Sequence, residues 1–205
     1  MNRMLKSFMA TGLLLVCNLV SGALIDFEGV APAGGGTSGF TEASPHFEDG
    51  YVVFGESAEN AILSATTTGI NSNGSDVFGW CGECASMYIV VLRDDESPFN
   101  LLSFDATDLL FTDQSGFTAG DLHIEGFFAD GGSVGITIDL SATWTTYNLP
   151  SSFSNLDGVG FFATPDEVRD LAIDNIVVSA VPVPAAAWLF GSGLLGVIAV
   201  ARRRS

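Results

Sequence analysis

Apolar positions along this chain come in short runs rather than in long stripes. Nine such runs lie between residues 24 and 178, at 24–27, 51–54, 87–92, 101–104, 122–128, 134–138, 144–149, 159–162 and 171–178. Gly, Asn, Asp, Ser and Pro separate them, as in GGGTSG, NSNGSD and FADGGS. Alternation with a period of two is visible in Ile136-Thr137-Ile138 and in Asp174-Asn175-Ile176-Val177-Val178. That period puts successive side chains on opposite faces of a strand. No window keeps a helical stripe over a dozen residues. Many short strands punctuated by turn residues predict an all-β fold, an antiparallel β-sandwich or barrel. Ala129-Asp130-Gly131-Gly132 between two runs predicts a hairpin turn, because glycine tolerates the backbone angles of a tight reversal. The stretch GVAPAGGGTSGF (29–40) reads as a flexible connection without the lysine of a phosphate loop.

The two ends follow a different pattern. Arg3 and Lys6 precede an apolar run from about residue 8 to residue 20, and Ser21-Gly22-Ala23 supplies small residues for a cut after Ala23. A basic start, a short apolar stretch and a small-residue exit predict a secretory signal peptide over 1–23. The run is too short to span a bilayer, which takes about 20 residues. Val16 before Cys17 does not fit a lipidation site. At the other end, residues 185–201 carry no charge, span roughly 26 Å as a helix and stop at Arg202, Arg203 and Arg204. Those arginines would stay cytoplasmic, with Trp188 at the interface, so a C-terminal transmembrane helix is expected.

Charge separates the ends from the middle. All 24 acidic side chains lie from Asp26 to Asp174, where the basic ones are Arg93 and Arg169, a balance of −22. A body this acidic repels nucleic acid and anionic lipid, which excludes phosphate-backbone binding as its main role. It also holds 14 of the 16 phenylalanines, enough for one domain with its own core over 24–180.

Val181-Pro182-Val183-Pro184-Ala185-Ala186, the Trp-Leu-Phe-Gly-Ser-Gly-Leu-Leu-Gly stretch and the arginine cluster together resemble the PEP-CTERM sorting signal of exported bacterial proteins. The resemblance covers 181–205. It implies that Val181, Pro182, Val183 and Pro184 form the recognition motif and that an exosortase-type membrane enzyme cleaves there. Arg202, Arg203 and Arg204 are then the membrane stop. Val183 stands where the family's Glu would be, so the tail is similar to the VPLPA-type variant. The implied course is export, inner-membrane anchoring before processing, and then a place in the cell envelope or extracellular matrix.

A second resemblance concerns the body. Its opening Ile25-Asp26-Phe27-Glu28, the late Trp144-Thr145-Thr146-Tyr147-Asn148-Leu149-Pro150 and the closing Leu171-Ala172-Ile173-Asp174-Asn175-Ile176 resemble galactose-binding-type jelly rolls, which include many carbohydrate-binding modules. That likeness implies that the first and last strands lie close together and that acids on them hold a structural Ca2+. Glu28 and Asp174 are the matching residues, with Asp26 behind them. The alternative, in which these acids cap strands or face water, stays open.

Other motifs carry less. Trp80-Cys81-Gly82-Glu83-Cys84 resembles a thioredoxin-type redox pair, but Glu83 replaces the expected Pro, and the residues after it favour a strand. Export favours oxidation, so Cys81 and Cys84 read as a short structural disulfide. His46 and His123 lack the close spacing to this pair that zinc would need. Acid pairs for glycoside hydrolysis are too numerous among 24 carboxylates to single one out, and Asp94-Asp95-Glu96 reads as a solvated loop. Trp80, Trp144, Tyr51, Tyr88 and Tyr147 could stack on sugar rings if exposed, whereas core packing would hide them. The combined reading is an exported, non-catalytic, structural or glycan-associated β-sandwich of the jelly-roll kind, with extracellular polysaccharide as its partner. Two rivals stand beside it: a secreted enzyme acting on matrix polysaccharide, and a thiol–disulfide protein using Cys81 and Cys84.

Overall fold

A computed structural model describes residues 22–55, 61–79, 88–107, 120–163 and 171–181. All of them belong to one compact body, Ser21–Val181. The signal-peptide stretch up to Ser21, the Cys81–Cys84 pair, Pro182, Val183, Pro184, the apolar stretch 185–201 and Arg202, Arg203 and Arg204 lie outside the described residues. Among the described residues no helix is long and apolar enough to cross a membrane.

The described elements are all strands: β1 Gly22–Ile25, β2 Thr37–Gly39, β3 His46–Glu48, β4 Tyr51–Gly55, β5 Ala61–Leu63, β6 Val77–Gly79, β7 Tyr88–Arg93, β8 Phe99–Thr107, β9 Asp121–Phe127, β10 Ser133–Asp139, β11 Thr145–Asn148, β12 Gly158–Ala163 and β13 Ala172–Ala180. They form two sheets, and the pairings are antiparallel. One sheet runs β11-β8-β13-β6-β5-β2, with β1 also laid on β13; the other runs β10-β9-β12-β7-β4-β3. This is the two-sheet antiparallel sandwich that the alternating runs predict.

Nine strands coincide with the nine apolar runs. The other four (β2, β3, β5 and β6) are three residues long each. One of them corrects the sequence reading: β2 lies inside the glycine-rich 29–40 stretch and pairs with β5, so that stretch is not simply a flexible connection. The β9–β10 hairpin turns where expected. Gly131 has φ +84°, the Phe128 amide donates to the Gly132 carbonyl, and the Gly132 amide donates to Asp130 Oδ1.

The core fills the space between the sheets. Val53, Ile89, Val91, Leu122, Ile124, Val159 and Phe161 enter it from the six-stranded sheet; Ile25, Phe78, Phe99, Leu101, Phe104, Ile173, Ile176 and Val178 enter from the other. Phe104 meets Phe161 edge to face across the layer, with ring centroids 5.2 Å apart. Each of these large side chains contributes roughly 1.5–3 kcal/mol on burial. Three of the proposed stacking residues are spent on packing. Tyr51 is buried against Phe99, Tyr147 stacks on Phe104, and Trp144 packs against the Leu63, Ile70 and Val77 cluster while its Nε1 donates to the Asn71 carbonyl at 2.6 Å.

First and last strands meet, as the jelly-roll resemblance implies: Gly22 pairs with Ser179 and Ile25 with Ile176. The strand begins at Gly22, so a cut after Ala23 would leave Leu24 and Ile25 as its paired residues. On its other side β13 pairs with β8, and the register shifts between Asp174 and Val177. Asn175 sits in this bulge at φ +50°, a left-handed position that Asn tolerates better than most residues.

Candidate functional site

Alternation along the six-stranded sheet sends one residue of each pair to the core and its neighbour outward. The strand register then lines the outward residues up in rows across the sheet. One row reads Phe47, Val52, Leu92, Gly158, Phe127 and Ser133. The next reads Phe54, Val90, Gly160, Glu125 and Gly135, and a third reads Tyr88, Phe162, His123 and Thr137. At the end of β9 and β10, Asp121 faces Asp139.

This face is unusually apolar for one that meets solvent. Phe47 is 64% exposed and Phe127 36%, while Phe54, Tyr88 and Phe162 are half-buried. Glycines explain how the rings lie. A Cβ on Gly160 would fall 2.5 Å from Cε2 and Cζ of Phe162, so the Phe162 ring rests on bare Gly160 backbone. Phe127 leans toward the same glycine, with Cε2 3.6 Å from that Cβ position. Likewise His123 lies against Gly135, at 3.0 Å, and Leu92 against Gly158, at 2.5 Å. Phe162 is therefore the middle of a three-ring row, with its centroid 5.8 Å from Tyr88 and 6.2 Å from His123.

Polar groups are set among the rings. Glu125 stands between Gly160 and Gly135 in its row, with no side chain directly beside it on either strand. His123 Nδ1 lies 3.3 Å from Thr137 Oγ1, and Tyr88 Oη donates to Glu42 at 3.4 Å. A side-chain hydrogen bond and charge repulsion from Asp121 hold the Asp139 carboxyl above its usual range. Aromatic rings beside hydrogen-bonding groups make a surface that can stack on the apolar face of a sugar ring and grip its hydroxyls.

The acids singled out in the sequence gather elsewhere, where β1 leaves the seven-stranded sheet. Asp26 accepts the Glu28 amide, and Glu28 accepts the Asp76 amide at 3.2 Å. Glu48 accepts the Asp26 and Phe27 amides and bonds to His46 Nε2 at 2.9 Å. Burial alone would raise the Glu48 carboxyl, but those donors hold it below its usual range. Asp26 is pushed the other way, by desolvation and by its neighbour Glu48. Asp174 is fully buried, and desolvation pushes its carboxyl up to about 6 despite hydrogen bonds from Ser75, Asn73 and the Asn175 amide. Asp26 adds to that rise through its negative charge. Among the described residues no three His, Cys, Asp or Glu side chains come together as a metal ion would require. In two neighbouring acid pairs, Asp26 with Glu48 and Asp121 with Asp139, one carboxyl helps push the other above its usual range.

Of the aromatic residues named from sequence, Tyr88 lies on the outward face, Trp80 is outside the described residues, Tyr51 is buried, and Trp144 and Tyr147 are half-buried against the core. The phenylalanines that make the face were missed. The dipeptide Phe161-Phe162 was the available signal, since adjacent residues in a strand must point to opposite sides. Val181, the first residue of the expected sorting motif, donates its amide to the Pro98 carbonyl at 3.4 Å, at the edge of the body.

No family matches the chain. No curated protein matches it either. Among solved structures it is similar to a variant of a family 29 carbohydrate-binding module, at 17% identity and a TM-score of 0.46 over 78% of this chain and 91% of that one. Another variant, solved with cellulohexaose, is 16% identical with a TM-score of 0.40 over 80% and 93%. A family 29 module from Piromyces equi is 8% identical with a TM-score of 0.42 over 80% and 92%.

Proposed function

We propose that this protein is an exported, non-catalytic module that holds polysaccharide on the outward face of its six-stranded sheet, within a bacterial envelope or exopolysaccharide matrix. The single observation that carries this reading is the Tyr88–Phe162–His123 row with Phe162 packed against Gly160. Stacking on a sugar needs an exposed ring face, and the glycine provides the space for it. Glu125 in the adjoining row, on a body with 24 acids, favours neutral glycans over uronic-acid polymers. Export and sorting rest on the two ends of the sequence: the signal peptide over 1–23, and an exosortase-type enzyme acting at Val181, Pro182, Val183 and Pro184.

The test is affinity electrophoresis and calorimetry of the purified protein with neutral polysaccharides. Cellulohexaose and mannohexaose, present in family 29 module structures, are the first soluble probes. Retardation lost in Phe162→Ala supports the reading. Binding unaffected by Phe162→Ala and Tyr88→Ala, or no binding to any glycan, overturns it.

Calcium is a separate part of the proposal. It is supported by a buried Asp174 whose carboxyl feels the negative charge of Asp26. An ion held by Glu28 and Asp174 would draw most of its six to eight ligands from carbonyl and amide oxygens. EDTA should then lower the melting temperature, and Glu28→Ala should remove that sensitivity. A melting curve indifferent to EDTA sinks this part alone.

A further inference from the structure

The loop that enters β6, Asn71-Ser72-Asn73-Gly74-Ser75-Asp76, is fixed at both ends and bare in the middle. Trp144 Nε1 donates to the Asn71 carbonyl, and Asp76 accepts the amides of Ala31 and Ala65. Between these anchors Asn73 and Gly74 are exposed. Gly74 has φ +104°, and a Cβ there would meet nothing within 4 Å. Yet the Asn73 side chain is engaged: its Nδ2 donates to Asp174 Oδ2 at 2.6 Å, and its Oδ1 accepts the Ser75 amide at 3.1 Å and lies 2.9 Å from Ser75 Oγ. The Gly74 amide donates to Ser72 Oγ at 3.0 Å.

We propose that Asn73 is a built-in deamidation site, and that its conversion unties this loop from the closing strand β13. The Gly74 nitrogen attacks Asn73 Cγ, forming a C–N bond and a five-membered succinimide. The Cγ–Nδ2 bond breaks, and the proton lost from Gly74 N leaves with Nδ2 as ammonia. Water then opens the ring at one of its two carbonyls, giving aspartate or the isoaspartate whose backbone runs through the side chain.

Three features favour the step at this residue. Gly74 puts no side chain in front of its own nitrogen, whereas every other Asn in the chain precedes a residue that does. The Ser75 amide donates to the oxygen that becomes negative during attack, and Ser72 Oγ accepts from the attacking N–H. Either product then replaces a donor to buried Asp174 with a second carboxylate, so attraction becomes repulsion.

The test is ageing of the purified full-length protein in warm, mildly alkaline buffer, followed by peptide mapping and isoaspartate labelling. The peptide carrying Asn73 should convert at least about tenfold faster than those carrying exposed Asn148 and Asn155, because glycine alone leaves the attacking amide open. Asn73→Gln should abolish the mass change, and Asn73→Asp should open the 71–76 loop to proteolysis and lower the melting temperature. Conversion at Asn73 no faster than at Asn148 and Asn155 overturns the assignment. Asn73→Asp as resistant to proteolysis and as stable as the parent overturns its consequence.

Discussion

The two outward faces of the sandwich obey the same alternation and have opposite chemistry. On the seven-stranded sheet, outward polar side chains bond to one another. Asn100 Nδ2 donates to Ser179 Oγ at 3.0 Å, Thr146 Oγ1 to Asp105 at 2.5 Å, and Asn175 Nδ2 to the other Asp105 oxygen at 3.0 Å. These polar groups are partnered within the face, and Leu24 and Leu102 are scattered apolar exceptions. On the six-stranded sheet the outward rows mix rings, Val and Leu, several lying over glycines, with polar residues such as Glu125 and Thr137. Covering those rings would gain the free energy of apolar burial while breaking few internal hydrogen bonds. The lesson is that the proposed binding surface is marked by what its side chains leave undone, not by fold alone.

Removing rings breaks the comparison most directly. Phe162→Ala combined with Tyr88→Ala should cost at least about tenfold in glycan affinity, near 1.4 kcal/mol, by calorimetry. An unchanged affinity would make the two faces equivalent. Next comes the buried acid beneath the polar face. Asp174 has a carboxyl pushed up to about 6 by burial, against 3.8 for an ordinary aspartate. The native state therefore keeps a proton that the unfolded chain gives up, so stability should fall as pH rises from about 4 to about 6 and stay lower above that. With allowance for screening the loss is on the order of 2 kcal/mol, and Asp174→Asn should flatten that limb of the denaturation profile. Gly160→Ala sharpens the comparison more gently. The added Cβ lifts the Phe162 ring, costing about 1 kcal/mol in stability and a few-fold in affinity. Smallest is the control on the other face: Asn148→Ala, at an exposed position of β11, should change stability by less than about 0.5 kcal/mol and leave glycan binding alone.

How much of this was legible in the sequence follows from the length of each signal. Runs such as 122–128 and 134–138 are long enough for alternation to show, and both became paired strands. His46–Glu48 and Val77–Gly79 hold too few residues for any period to register, and they are strands because β4 and β5 pair with them. The close approach of first and last strands followed from the jelly-roll resemblance. The face did not follow from any motif. Tyr88 alone came from the search for stacking residues, because that search looked for Trp and Tyr and treated phenylalanine as core material. Phe162 became visible only when register placed it beside Tyr88 and over Gly160. Of the acids, Asp174 lies on the last strand, whereas Asp26 and Glu28 follow the end of β1, and their hydrogen bonds to Asp76, Asn73 and Ser75 depend on loops whose course no periodicity describes.

The place of β13 has a consequence for how the molecule is made. It is the last strand of the body, yet it lies inside its sheet, with β8 on one side and β1 and β6 on the other. Until residue 180 is available, β8 has β11 alone beside it and the first strand has nothing to pair with. Completing this sheet is thus a late step that joins contacts distant along the chain. A chain released from its N-terminus onward would therefore keep this sheet open until its final strand was free.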